Sequence, residues 1–157
     1  MFLIIIVLLF LLFRSFAVYL FLIFCVSVIV YINYVLKLPF DLSPVLVISL
    51  IISRNYGFFH TIIFVVLSGI VPMILAGGSF DHTTLFYFSL IVAINLISTF
   101  FTQFLFLIVA FLLIIIHHFI AMVGSIFFGT NKQKEIFNFI LKLLIDSTYL
   151  VMFYKIS

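Results

Sequence analysis

From Leu85 to Phe128 the chain contains no Asp, Glu, Lys or Arg. About 44 residues of unbroken helix would measure roughly 66 Å at 1.5 Å per residue, twice the hydrocarbon core of a bilayer. The economical solution is two membrane spans joined by a tight turn near "STFFTQF"; a single strongly tilted helix is the rival. The rest of the chain shares this character, with 68% hydrophobic and 7% charged residues, where soluble domains carry about a quarter charged. A chain of 157 residues leaves much of its surface facing solvent, so this many Phe, Ile and Leu side chains require that solvent to be lipid. The expected fold class is all-α: a polytopic transmembrane helical bundle of about six membrane segments.

Charges, Gly and Pro divide the chain further. Residues 1–14 form an N-terminal apolar extension, too short to span before Arg14, which either lengthens the next helix or lies in the interface. They imitate a signal peptide but lack its basic start and small-residue cleavage site, so they are read as retained. The main bundle covers 15–128 and opens with a span over 15–36. "KLPFDLSPVLVISLIISRNYG" has two prolines and Asp41 ahead of about a dozen apolar residues, the length of a short or tilted helix. The next span is 58–76, stopped by Gly77 and Gly78, with Thr83 or Thr84 placed to cap the helix that follows. Residues 129–157 comprise a polar loop, "GTNKQKE", and an amphipathic last helix. Glu135, Asn138, Lys142, Asp146 and Tyr149 recur at steps of three and four, forming one polar stripe that faces either the bundle interior or the headgroups. Counting Lys and Arg places Arg14, Arg54 and Lys155 on one side and Lys37, Lys132 and Lys134 on the other, a tie. The acids Asp41, Asp81 and Glu135 on the second side incline the choice to N-inside.

The net charge of +3 comes from scattered basic residues, without the clusters that make a nucleic-acid partner. The single cysteine, Cys25, packs as a small hydrophobe. No Walker lysine motif, HExxH or GxSxG is present, and none of the four carboxylates forms a helical pair for acid–base or metal work. The chain is therefore expected to be no enzyme, with no catalytic residue and no cofactor. His117 and His118 project about 100° apart on a helix and cannot serve one metal unaided, so no metal site is expected.

An ionisable side chain at membrane depth costs about 2.5–3.5 kcal/mol or more unless paired, snorkelling or wet. Arg54, Asn55 and Gly57 fit a tight aqueous turn, with His60 one turn into the next helix; a polar functional site is the rival. Asn95, Thr99 and Thr102 share one helix face, either as interhelical hydrogen-bonding glue or as the lining of a cavity. Asp81 and His82 adjoin in a Gly-bounded loop.

The segment from Lys37 to Ser98 resembles small polytopic proteins of the MreD and energy-coupling-factor S-component kind. The resemblance rests on the Pro-containing "LPFDLSPVL", the polar turn "SRNYG", a helix bearing "SGIVP", "GGSFDHTT", and a helix carrying Asn95. It implies a non-catalytic membrane subunit of a larger complex: a solute-binding component working with coupling and ATPase subunits supplied in trans, or a scaffold for cell shape. Under the first, Asp81, His82, Asn95 and Thr99 are the substrate-binding candidates. A second resemblance is to subunit a of rotary ATP synthases, carried by Arg54, Asn55, His60 and Gln103, which implies a proton path through those four residues. Either way the expected partners are the lipid bilayer and other membrane subunits, in an energised membrane such as the cell membrane or an organelle inner membrane.

Overall fold

The computed structural model describes residues 2–37 and 41–154, with side chains from Arg14 onward. Pro39 and Lys155, used above for a segment boundary and for orientation, lie outside the described residues. Among those described, all regular structure is helical: α1 (Phe2–Val35), α2 (Val45–Tyr56), α3 (Phe58–Leu75), α4 (His82–Thr99), α5 (Phe106–Phe127) and α6 (Lys132–Phe153). Five of them are long and apolar enough to cross a membrane, α1 from Arg14 onward; α2 is the exception. The uncharged run does split into two spans, α4 and α5, around the turn at 100–105. Residues 2–13 continue α1 as helix.

The short helix is the centre of the fold. At 12 residues α2 is about 18 Å long, yet it packs against all five other helices. Val45 to Ser53 are buried without interruption, which explains why this segment reads as apolar all round rather than amphipathic. The long helices follow one another around it as α1, α3, α4, α5 and α6, each packed on the next. Two polar positions key α2 to α4: Asn95 Nδ2 donates to Ser49 Oγ at 2.8 Å, and Ser98 Oγ donates to Ser53 Oγ at 3.3 Å. In lipid, where hydrophobic burial does not drive helices together, such bonds and close packing fix the register.

Helix ends follow local chemistry. Asp81, rather than Thr83 or Thr84, caps α4: its carboxylate accepts from the Thr84 N–H at 2.8 Å. Asn131 caps α6 by accepting from the Gln133 N–H at 2.9 Å, so that "GTNKQKE" is largely the first turn of a helix rather than loop. Within α3 the Pro72 ring has no N–H to donate, and a π turn at Val66–Ile70 precedes it. The Val71 N–H reaches back five residues to the Val66 carbonyl, and the Leu67 carbonyl accepts from Ser27 Oγ of α1 at 3.2 Å.

A single residue, Gly57, joins α2 to α3 with φ 86° and ψ 168°. That region is essentially closed to residues with a Cβ. Gly57→Ala is expected to lower stability by about 1–3 kcal/mol, read as a reduced melting temperature in detergent, although a Cβ there would meet no neighbouring atom.

Candidate functional site

Because α2 is shorter than the helices around it, it leaves part of the bundle's height unfilled. The space beyond its N-terminal end is a cavity of about 490 Å³. Ser43, Val45 and Leu46 at the start of α2 line it, as do Lys37, Thr84 and Glu135 at the helix termini of the same end of the bundle. Val30, Tyr87, Phe88, Ile91 and Phe139 supply apolar wall. Gly69, in the π turn, faces the Phe88 ring so closely that a Cβ would come within 2.6 Å of it.

The polar lining is gathered at one level. Residues 41–44 are non-helical, and such backbone survives at membrane depth only where protein or a wet cavity covers it. Three successive carbonyls are served from α6: Lys142 Nζ donates to the Asp41 and Ser43 carbonyls at 3.2 and 2.7 Å, and the Tyr149 hydroxyl to the Leu42 carbonyl at 3.1 Å. The Asp41 carboxylate accepts from Asn33 Nδ2 of α1 at 2.7 Å and from the Ser43 N–H and hydroxyl at 2.8 and 2.9 Å. Lys142 lies 3.1 Å from Asp41 Oδ2 and 3.6 Å from Asp146 Oδ1. At 3.6 Å the second contact is an ion pair without a hydrogen bond, so that Asp146 Oδ1 has no hydrogen-bond partner. Its other oxygen accepts from His118 Nε2 at 2.8 Å, and His118 Nδ1 lies 3.4 Å from His117 Nδ1.

This chain, from Asp41 through Lys142, Asp146 and His118 to His117, sits deep. Lys142 is about 15 Å along α6 from its first residue, and His118 about 14 Å from the last residue of α5. Asp146 is 0% exposed. Asp41, in the connecting segment outside the spanning helices, is half-exposed to the cavity. Desolvation raises its carboxyl, but the Lys142 ammonium and the Ser43 hydrogen bonds outweigh this and hold it below the ordinary carboxylate value.

No family model matches this chain, and neither a curated protein nor a solved structure matches it. A cavity of this size, with apolar walls and a few converging polar groups, has the proportions of a small-molecule site. Two carboxylates, an ammonium and two imidazoles can hold and exchange a proton, or orient a polar solute. No group of three or more metal-ligating side chains converges among the described residues.

The residues singled out from sequence lie elsewhere. Asp81 and His82 are exposed at the start of α4, and Thr99 Oγ1 turns back to the Leu96 carbonyl at 2.7 Å. Asn95 is fully buried, bonded to Ser49 and to the Ile91 carbonyl, with its Oδ1 unpartnered; none of these four lines the cavity. Arg54, Asn55, His60 and Gln103 are at the opposite end. Arg54 Nη1 donates to the Phe104 carbonyl at 3.3 Å and its guanidinium lies 5.4 Å from the Phe106 ring centroid. Beside it is a hollow of only about 10 Å³. His60 is exposed, its ring edge-on to Tyr19, and Gln103 is exposed in the α4–α5 turn. The polar stripe of α6, for which the sequence left bundle interior and headgroups open, faces the interior: Glu135, Asn138 and Lys142 line the cavity, and Asp146 and Tyr149 are turned inward below.

Lys142→Met would remove the ammonium shared by Asp41 and Asp146 and the donor to the Asp41 and Ser43 carbonyls, and losing one partner of a buried pair costs about 3–5 kcal/mol. A large drop in melting temperature in detergent is expected. For Asp41 the sign follows from its lowered value: the folded state favours the carboxylate, so its contribution is complete above the ordinary carboxylate pKa and lost as pH falls through the folded one. Thermal unfolding followed below about pH 4 should show this loss in the wild type and a flatter profile in Asp41→Asn.

Proposed function

We propose that this chain is a solute-binding membrane subunit without catalytic chemistry of its own, of the kind expected from the S-component resemblance. The observation that carries this is the cavity of about 490 Å³ beyond the N-terminal end of α2, floored by Asp41, Lys142 and the His117–His118 pair. Sites for small molecules occupy about 300–1,000 Å³. A scaffold of the MreD kind requires only packed outer faces and gives no reason for a polar-floored hollow. The described residues 41–44 and the connections 76–81 and 128–131 lie at the end where the cavity begins, so a solute entering there would meet them first. Coupling subunits in the same energised membrane would supply the work of transport, since the sequence has no nucleotide-binding motif.

Native mass spectrometry of the chain purified in mild detergent tests this. A bound small molecule is expected, and adding it back at 100 times its Kd should stabilise the fold by about 2.7 kcal/mol. Met122→Trp, which intrudes on the cavity wall, should abolish that stabilisation. A bound molecule that stabilises the variant equally would place the site elsewhere.

A further inference from the structure

The floor of the cavity is unbalanced in charge. Asp41 and Asp146 are two carboxylates, and Lys142 is the one ammonium between them. The remaining charged groups on the cavity lining are Lys37, two residues beyond α1, and Glu135 in the first turn of α6, of opposite sign. Tyr34 of α1 and Tyr87 of α4 contribute neutral phenols, the Tyr87 hydroxyl being bonded to Ser125 Oγ of α5. No titratable side chain of α2 or α3 lines the cavity. Lys142 is shared between the two, and at half the depth of the bundle the Asp146 carboxylate, 0% exposed, meets it only at 3.6 Å and without a hydrogen bond. Isolated charge at that depth is strongly disfavoured. The base in reach is His118, whose Nε2 is 2.8 Å from Asp146 Oδ2.

We propose that the His118–Asp146 pair is a proton-binding site in the membrane interior, and that His117 is the group through which this proton passes to and from the cavity. Without the proton, the His118 Nε2–H donates to Asp146, the His117 Nδ1–H donates to His118 Nδ1, and His117 Nε2 presents a lone pair. A proton arriving from the cavity bonds to His117 Nε2. The Nδ1 hydrogen of His117 then moves across the 3.4 Å gap to His118 Nδ1. His118 becomes an imidazolium between Asp146 and a neutral His117, and the charge of the floor is cancelled. Release is the same sequence reversed, and Asp146 remains a carboxylate throughout. His117 Nε2, buried and without a protein partner, is the atom whose character changes: an acceptor when the site is empty, a donor when it is filled. The site itself stands whether or not the cavity takes a solute.

The test is nitrogen NMR of the full chain with ring-labelled histidine, reconstituted in phosphatidylcholine bilayers. Replacing the exposed His60 and His82 by Gln leaves His117 and His118 as the only two signals. On the acid side of the transition one ring should carry hydrogens on both nitrogens and the other only on Nε2. As pH rises, the doubly protonated ring should lose its Nδ1 hydrogen while the other ring changes from the Nε2–H to the Nδ1–H tautomer in the same transition. Asp146→Asn should move the transition downward, and Lys142→Met should move it upward. Two neutral rings persisting one pH unit below the ordinary histidine value of about 6.5 would overturn the proton site. A transition in one ring that leaves the tautomer of the other unchanged would overturn the relay.

Discussion

The structure depends on three backbone carbonyls. A helix of 12 residues begins inside the bundle, so the chain must reach its first turn through non-helical backbone with polar groups that lipid cannot satisfy. Lys142 and Tyr149 supply donors to the carbonyls of Asp41, Leu42 and Ser43, and the Asp41 carboxylate takes up the Ser43 N–H. One ammonium therefore does two jobs: it completes the hydrogen bonding of the α1–α2 connection, and it offsets the carboxylates of Asp41 and Asp146. Neither is separable from the position of α2, because the helix starts where those donors hold its approach.

The cavity follows from the same shortness. Five long helices around a short one enclose more height than the short one fills, and the difference appears at the end where α2 begins. At its other end the helix is continuous with the packing: Tyr56 donates to the Ser15 carbonyl at 3.0 Å and Arg54 to the Phe104 carbonyl. Polar side chains in the bundle fall into two groups with different roles. Ser49, Ser53, Asn95 and Ser98 bond α2 to α4 in a dry contact. Asp41, Lys142 and the two histidines line the open space, and Asp146 is buried behind them.

Much of the architecture could be read from the chain alone. The membrane class, the spans near 15–36 and 58–76, the break in the uncharged run and the Gly77 stop all follow from lengths and residue types that act locally. Expectations that needed long-range contacts were less accessible. A segment with the length of α2 suggests a short or tilted helix, and only burial on every side makes it the axis of the bundle. The spacing of Glu135, Asn138, Lys142, Asp146 and Tyr149 identified a stripe, but which way it turned depended on Asp41, some hundred residues away. Asn95 stood out as an isolated amide on an apolar face, and it is used in packing against Ser49, a partner that no periodicity points to. The chemistry at the floor needed residues from three elements, each unremarkable in its own segment.

The uninterrupted burial of Val45 to Ser53 has a consequence for permeation. The bundle in this state is a cul-de-sac: open space stops at the first turn of α2, and nine residues of packed side chains stand between it and the far face of the membrane. A molecule or ion can be received from one side only. Passage to the other would require α2 to leave the axis, or the whole bundle to reorient in the bilayer.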